Sequence, residues 1–209
     1  MIWHWYGFFI GLAGVVGYSI AEKLEPKISR GVGWIIAGAF IGARLYHVID
    51  LWEYYSQNLG QIIALWQGGL GIWGGIVGGG VGLVIANHKF SNSQMERSKI
   101  LGAIVTALPL SQAIGRVGNG VNGEFVNKIW ILPWWSVEAI LDLVLFALLW
   151  RLPIKSRLGA YLFGYGMIRF VLEYYRENNW QMWGLGVAQW ASLGAIVIGL
   201  AIWQLSVQD

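Results

Sequence analysis

Residues 178–208, NNWQMWGLGVAQWASLGAIVIGLAIWQLSVQ, contain no Asp, Glu, Lys or Arg. A helix that crosses the hydrocarbon core of a bilayer needs about 20 mostly apolar residues, and this run supplies them. Elsewhere in the chain, runs equally free of charge cover 1–21, 54–88 and 100–115. Three more apolar stretches carry few charges: 31–51 holds Arg44 and Asp50, 133–150 holds Glu138 and Asp142, and 158–175 holds Arg169 and Glu173. The reading is an all-α polytopic membrane protein, one domain over 1–209, with about seven transmembrane helices. These are expected at 2–20, 32–51, 61–87, 100–115, 133–150, 158–176 and 186–204.

Composition supports the same class. Of 209 residues, 56% are hydrophobic and 12% charged, where soluble domains carry roughly 25% charged; mean hydropathy is +0.55. A water-soluble globule cannot hide that much apolar surface, and disorder is excluded for the same reason. The pI near 9.2 does not indicate nucleic acid as a partner, because 14 basic side chains scattered among apolar runs form no continuous stripe. With no cysteine there is no disulfide, thiolate ligand or cysteine nucleophile, so any thiol chemistry comes from a substrate. His4, His47 and His88 form no metal-ligand spacing. No metal or cofactor is expected, and no soluble-enzyme fingerprint is present.

The first apolar segment has no basic stretch ahead of it and no clear cleavage site, so it reads as a retained helix. Lys23, Lys27, Arg30, Lys89, Arg97, Lys99, Arg151, Lys155 and Arg157 fall in the loops after helices one, three and five, whereas the opposite loops hold only Arg116, Lys128 and Arg176. Cytoplasmic loops carry the basic excess, which places the N-terminus outside and the C-terminus in the cytoplasm. Fourteen tryptophans, among them Trp3, Trp5, Trp52, Trp130, Trp134, Trp135, Trp180 and Trp183, favour helix ends, as an interfacial belt requires. Gly71, Gly75 and Gly79 step by four, as do Gly74, Gly78 and Gly82, a spacing that lets a second helix approach closely. Two readings stand for the first glycines of WQGGLGIWGG: close packing, or backbone N–H groups bared to a ligand.

An ionisable side chain inside a span costs about 2.5–3.5 kcal/mol on insertion scales, so each is a functional candidate. In RFVLEYYRE, Arg169, Glu173 and Arg176 share one helical face. That stripe is either a self-satisfied ladder with Glu173 between two arginines, or a guanidinium fork for a phosphate. GRVGNGVNGE packs Arg116, Asn119, Asn122 and Glu124 among four glycines. So many glycines suggest a helix break, and irregular backbone at membrane depth survives only where it is buried or lines a polar cavity. Arg44 either snorkels, pairs with Asp50, or joins the site. Glu138 and Asp142, one turn apart, repel each other unless a cation sits between them or one is protonated.

Several segments together resemble the prolipoprotein diacylglyceryl transferase family. GRVGNGVNGE is similar to its signature G-R-x-G-N-x-x-N-G-E at every fixed position. WYGFFIGLA, GARLYHV, GGLGIWGGIVGG, GYGMIRFVLEYYRE and AQWASL follow in the family's order over nearly the whole chain. The resemblance implies an enzyme of the bacterial cytoplasmic membrane that moves the diacylglyceryl group of phosphatidylglycerol onto the lipobox cysteine thiol of a preprolipoprotein, releasing glycerol phosphate. Its partners would be that lipid, the lipobox peptide and the surrounding membrane lipids. Carried over by position, it implies catalytic roles for Tyr6, Arg116, Glu124 and Arg169. Asn119, Asn122, Glu173 and Arg176, with Arg44, Gly74 and Gly75, are the expected substrate-binding residues. The chain departs from the pattern in three places. Trp73 stands where many members have a histidine proposed as the base; LPWWSVE keeps Pro133 and Glu138 but has Leu132 and Val137 for His and Tyr; and Asn127 replaces a glycine after NGE. These departures favour, as the alternative, a non-catalytic phospholipid-binding or lipid-moving protein.

Overall fold

The computed structural model describes residues 5–64, 68–90, 94–176 and 181–208. Helices dominate: α1 (Trp5–Leu24), α2 (Ile28–Asp50), a short α3 (Trp52–Gln57), α4 (Ile72–Phe90), α5 (Gln94–Val121), α6 (Trp134–Arg151), α7 (Arg157–Glu173) and α8 (Val187–Gln208). Four of them, over Gly7–Leu24, Ile28–Asp50, Arg97–Val121 and Val187–Ser206, are long and apolar enough to cross a membrane. Their outward faces carry exposed Val15, Ile36, Ile49, Val197 and Ile198, the arrangement a hydrocarbon solvent requires. The contacts fall into two compact units, Pro26–Arg97 and Met1–Glu25 with Ser98–Asp209.

In the Pro26–Arg97 unit, α2 and α4 pack backbone to backbone. A Cβ on Gly74 would collide with the carbonyl oxygen of Gly42, one on Gly78 with that of Gly38, and one on Gly82 with that of Trp34. Of the two glycine rows visible in the sequence, this is the contact row; Gly75 and Gly79 meet Ala43 and Ala39 at ordinary distances. The expected third helix, 61–87, is corrected. Its first part is a 3-10 turn at Leu59–Ile63, Ala64 and residues 68–71 are non-helical, and α4 begins only at Ile72. Gly68 and Gly69, with φ of 84° and 75°, take backbone conformations that exclude a continuous helix.

In the other unit, α5 runs through the first part of the glycine-rich signature, to Val121, so the expected break comes only at the turn around Gly123. Glycine costs a helix only about 1 kcal/mol each, and here packing offsets it. Gly118 lies under the Phe9 side chain of α1 and Gly120 under the Trp135 indole. Ser111 donates to the Ala13 carbonyl at 2.9 Å, tying α5 to α1. Val105, Leu145, Leu149, Ala160 and Tyr161 form the buried core between α5, α6 and α7. Two hairpins precede α6 and α8: β1 (Lys128–Ile129) pairs with β2 (Leu132–Pro133), and β3 (Gln181–Met182) with β4 (Leu185–Gly186). Each has a tryptophan in its turn, Trp130 and Trp183, 95% and 84% exposed.

Candidate active site

Three helices of the second unit bring charge together. Arg116 and Asn119 lie one turn apart on α5, Glu138 on α6, and Arg169 and Glu173 on α7, with Arg176 just beyond. Glu138 is fully buried. Its Oε2 meets Arg116 Nε at 2.7 Å, while its Oε1 accepts from Arg116 Nη2 at 3.1 Å and from Arg169 Nη1 at 3.4 Å. Glu173 accepts from Arg169 Nη2 at 2.8 Å and from Arg176 Nη1 at 3.5 Å. The Glu173 ladder expected from the spacing is therefore present. Of the two carboxylates one turn apart on α6, Glu138 has cations, Arg116 and Arg169, whereas both oxygens of Asp142 are buried without a hydrogen-bond partner among the described residues.

A second chain of contacts runs from Arg116 toward the end of α5. Arg116 Nη1 donates to Asn119 Oδ1 at 3.1 Å, and Asn119 Nδ2 donates to Glu124 Oε2 at 2.7 Å. The Glu124 N–H returns to the Asn119 carbonyl at 2.9 Å. Asn119 is 5% exposed whereas Glu124 is open to its surroundings, so the buried amide joins a half-buried cation to an accessible carboxylate. Asn122 is also exposed. The backbone turns away at Gly123, with φ of 75°.

Aromatic faces enclose the guanidiniums. The Trp134 ring lies 5.4 Å from Arg116 and 5.7 Å from Arg169, and Phe125 lies 5.8 Å from Arg116 and 5.5 Å from Arg176. Such contacts attract a cation while shielding it from water. Trp134 is itself fixed, its indole donating to the Leu172 carbonyl at 3.0 Å. Asn127 donates to the Tyr175 carbonyl at 2.8 Å, pinning the connection between α5 and α6 to the end of α7. Sequence reasoning did not place Trp134 and Phe125 in the site, and gave Glu138 no role there beyond a carboxylate inside a span that needed a cation and a position kept in the family's LPWWSVE segment.

The arginines differ in what their N–H groups do. Arg44, 7% exposed, commits all five: Nε to Ile62, Nη1 to Gly68 and Gly69 at 2.7 and 3.0 Å, and Nη2 to Gln61 and Ala64, every acceptor a main-chain carbonyl. It neither snorkels nor pairs with Asp50; it binds main-chain carbonyls that precede α4. Arg116 hydrogen-bonds through one N–H of each Nη, with its Nε in ion contact with Glu138, and Arg169 likewise through one N–H of each Nη, so both guanidiniums keep Nη N–H groups free among the described residues. Their side chains are 23% and 14% exposed. Gly74 is buried against α2 and Gly75 faces Ala43. Tyr6 lies on α1, and its side chain, together with His4, Trp3 and Trp180, falls outside the described residues. Trp73 is exposed.

The family profile described as Prolipoprotein diacylglyceryl transferase matches residues 2–205. The chain belongs to that family. Among its relatives, the phosphatidylglycerol–prolipoprotein diacylglyceryl transferase of Finegoldia magna is 33% identical over 95% of this chain and 89% of that protein. The transferase of the same name from Trichormus variabilis is 31% identical over 94% of this chain and 83% of its own length, and that of Streptococcus uberis 31% over 94% and 88%. Within the family frame, the signature GRVGNGVNGE is the end of α5 and the turn after it, and RFVLEYYRE is the end of α7. Their arginines meet on one carboxylate of a third segment, LPWWSVE.

Proposed function

We propose that the chain transfers the diacylglyceryl group of phosphatidylglycerol to the lipobox cysteine thiol of a preprolipoprotein. The observation that carries this reading is the pair of aromatic-enclosed arginines, Arg116 and Arg169, with N–H groups left free among the described residues. A phosphodiester accepts such donors in pairs. In the reaction a C–S bond forms at the glycerol carbon, the bond from that carbon to the phosphate oxygen breaks, and its electron pair stays on the departing glycerol phosphate. Negative charge therefore grows where two fixed guanidiniums can stabilise it without reorganising. The thiol proton must leave as the sulfur attacks. Glu124, an accessible carboxylate oriented by Asn119, is the acceptor we assign, with Tyr6 a further catalytic group. Asn119, Asn122, Glu173 and Arg176 complete the headgroup site.

This reading sets the chain in the bacterial cytoplasmic membrane, crossing it with α1, α2, α4, α5, α6, α7 and α8, N-terminus outside and C-terminus inside. The ends of α5 and α7 then share the outer side with the starts of α6 and α8. Arg44 acts here through the backbone it holds, with no N–H left for a phosphate, and Gly74 through the packing of α4 on α2. The second reading, a non-catalytic lipid-binding protein, is favoured by Trp73, since an indole cannot take a proton.

The test is reconstitution in vesicles containing phosphatidylglycerol with a lipobox peptide, read by the mass shift of the peptide and by released glycerol phosphate. The chain has no cysteine of its own, so the alkylated peptide is a clean blank. The wild-type protein is expected to add a diacylglyceryl group. Arg169→Lys should slow transfer about 10- to 100-fold, because an ammonium keeps the charge but not the planar fork. Lipid binding with no transfer to any lipobox peptide would establish the second reading instead.

A further inference from the structure

Glu138 lies behind the arginines rather than among the groups a substrate can reach. It has no exposed surface, yet its single oxygen Oε1 touches both guanidiniums. Since the two Nη nitrogens lie 3.1 and 3.4 Å from that atom, they are no more than about 6.5 Å apart. Two donors so spaced can each reach one of the free oxygens of a single phosphate, which sit about 2.5 Å apart and accept at roughly 2.8 Å. Without an anion between them, two guanidiniums in a medium of low dielectric repel, and Arg169 would have Glu173 as its remaining partner. Oε2 adds the 2.7 Å contact to Arg116 Nε, which fixes the plane of that guanidinium as well as its position. Trp134, one turn earlier on α6, packs against both cations. The first turns of α6 are thus a platform that sets where two charges from α5 and α7 stand.

We propose that Glu138 is a positioning residue for the transfer reaction: it holds Arg116 and Arg169 at the separation that fits one phosphate, and touches neither lipid nor thiol itself. The inference rests on the arginines binding the headgroup phosphate, as proposed above. It requires both charge and reach. Glu138→Gln keeps the reach and loses the charge and one acceptor, whereas Glu138→Asp keeps the charge and withdraws the carboxylate by about 1.5 Å. Both variants should fail in the same way, through the rate of the bound complex.

The experiment measures transfer to a lipobox peptide in phosphatidylglycerol vesicles by wild type, Glu138→Gln, Glu138→Asp and Arg169→Lys, and by Glu138→Gln combined with Arg169→Lys. The expected result is a kcat lowered about 10- to 100-fold in both Glu138 variants with the KM for the peptide within about twofold of wild type. In the Arg169→Lys background, Glu138→Gln should cost a smaller factor than it costs alone, because part of its action runs through that arginine and the rest through Arg116. Thermal unfolding of the purified proteins reports folding separately. If Glu138→Gln does not fold, Glu138→Asp, which leaves no guanidinium without an anion, carries the test alone. Wild-type kcat in folded Glu138→Asp, or a Glu138→Gln loss that multiplies in full with that of Arg169→Lys, would overturn the inference. Absence of transfer by the wild type would instead overturn the functional reading beneath it.

Discussion

Arg44 and Arg116 show how the same side chain serves two ends. Both are ionisable groups in apolar stretches, and by sequence either is a candidate ligand. Arg44 spends every N–H on the main-chain carbonyls of Gln61, Ile62, Ala64, Gly68 and Gly69, which supplies donors to carbonyls outside any α-helix. Arg116 donates to two side chains and keeps N–H groups in reserve. The difference arises from what surrounds each guanidinium, and no residue-level pattern encodes it. The Asn119–Glu124 contact at 2.7 Å leads to a prediction at this scale. If Glu124 takes the thiol proton, Glu124→Gln should lower the transfer rate by about 100-fold or more, while phosphatidylglycerol still protects the protein from thermal unfolding as it does the wild type. A Glu124→Gln protein with wild-type rate would remove Glu124 from the chemistry.

Glycine spacing is a statement about elements, and here it has two outcomes. The Gly74–Gly78–Gly82 row brings α4 against Gly38 and Gly42 of α2, whereas Gly80 has nothing within 4 Å of where its Cβ would be. Gly78→Ala should therefore push the two backbones apart and destabilise the protein by about 1–3 kcal/mol. Gly80→Ala should be neutral or stabilising by roughly 0.5–1 kcal/mol through helix propensity. Thermal unfolding in one detergent compares them directly, and equal effects would show that the α2–α4 contact is not the packing that matters. The step of four residues was legible in the sequence. Which of the two rows faces the partner was not, because both satisfy the same period and only the partner helix, with its own small residues Gly38 and Gly42, distinguishes them. The signature GRVGNGVNGE shows the converse: its glycines read as a break, but Phe9 and Trp135 fill the space left by Gly118 and Gly120 and the helix holds as far as Val121, before the turn at Gly123.

For the whole molecule, the distribution of basic loops makes a prediction about sidedness. Lys155 and Lys128 are both exposed and fall in loops read as cytoplasmic and external. A cysteine at Lys128 should react with an impermeant thiol reagent in intact cells, and one at Lys155 only after permeabilisation. The reverse pattern would invert the orientation and with it the side on which the arginine cluster works. The sequence by itself determined the class of protein, because the length of apolar runs and the scarcity of charge are set against the thickness and cost of a bilayer, and neither depends on tertiary contacts. It also determined the family, since GRVGNGVNGE and RFVLEYYRE are local strings. The tertiary structure decided that these two strings, more than forty residues apart, meet on Glu138. It also decided that one arginine is spent on backbone while two keep free N–H groups. A hydrogen-bond partner brought from another helix leaves no trace in the periodicity of either one, so the commitment of each guanidinium is visible only once the chain is folded.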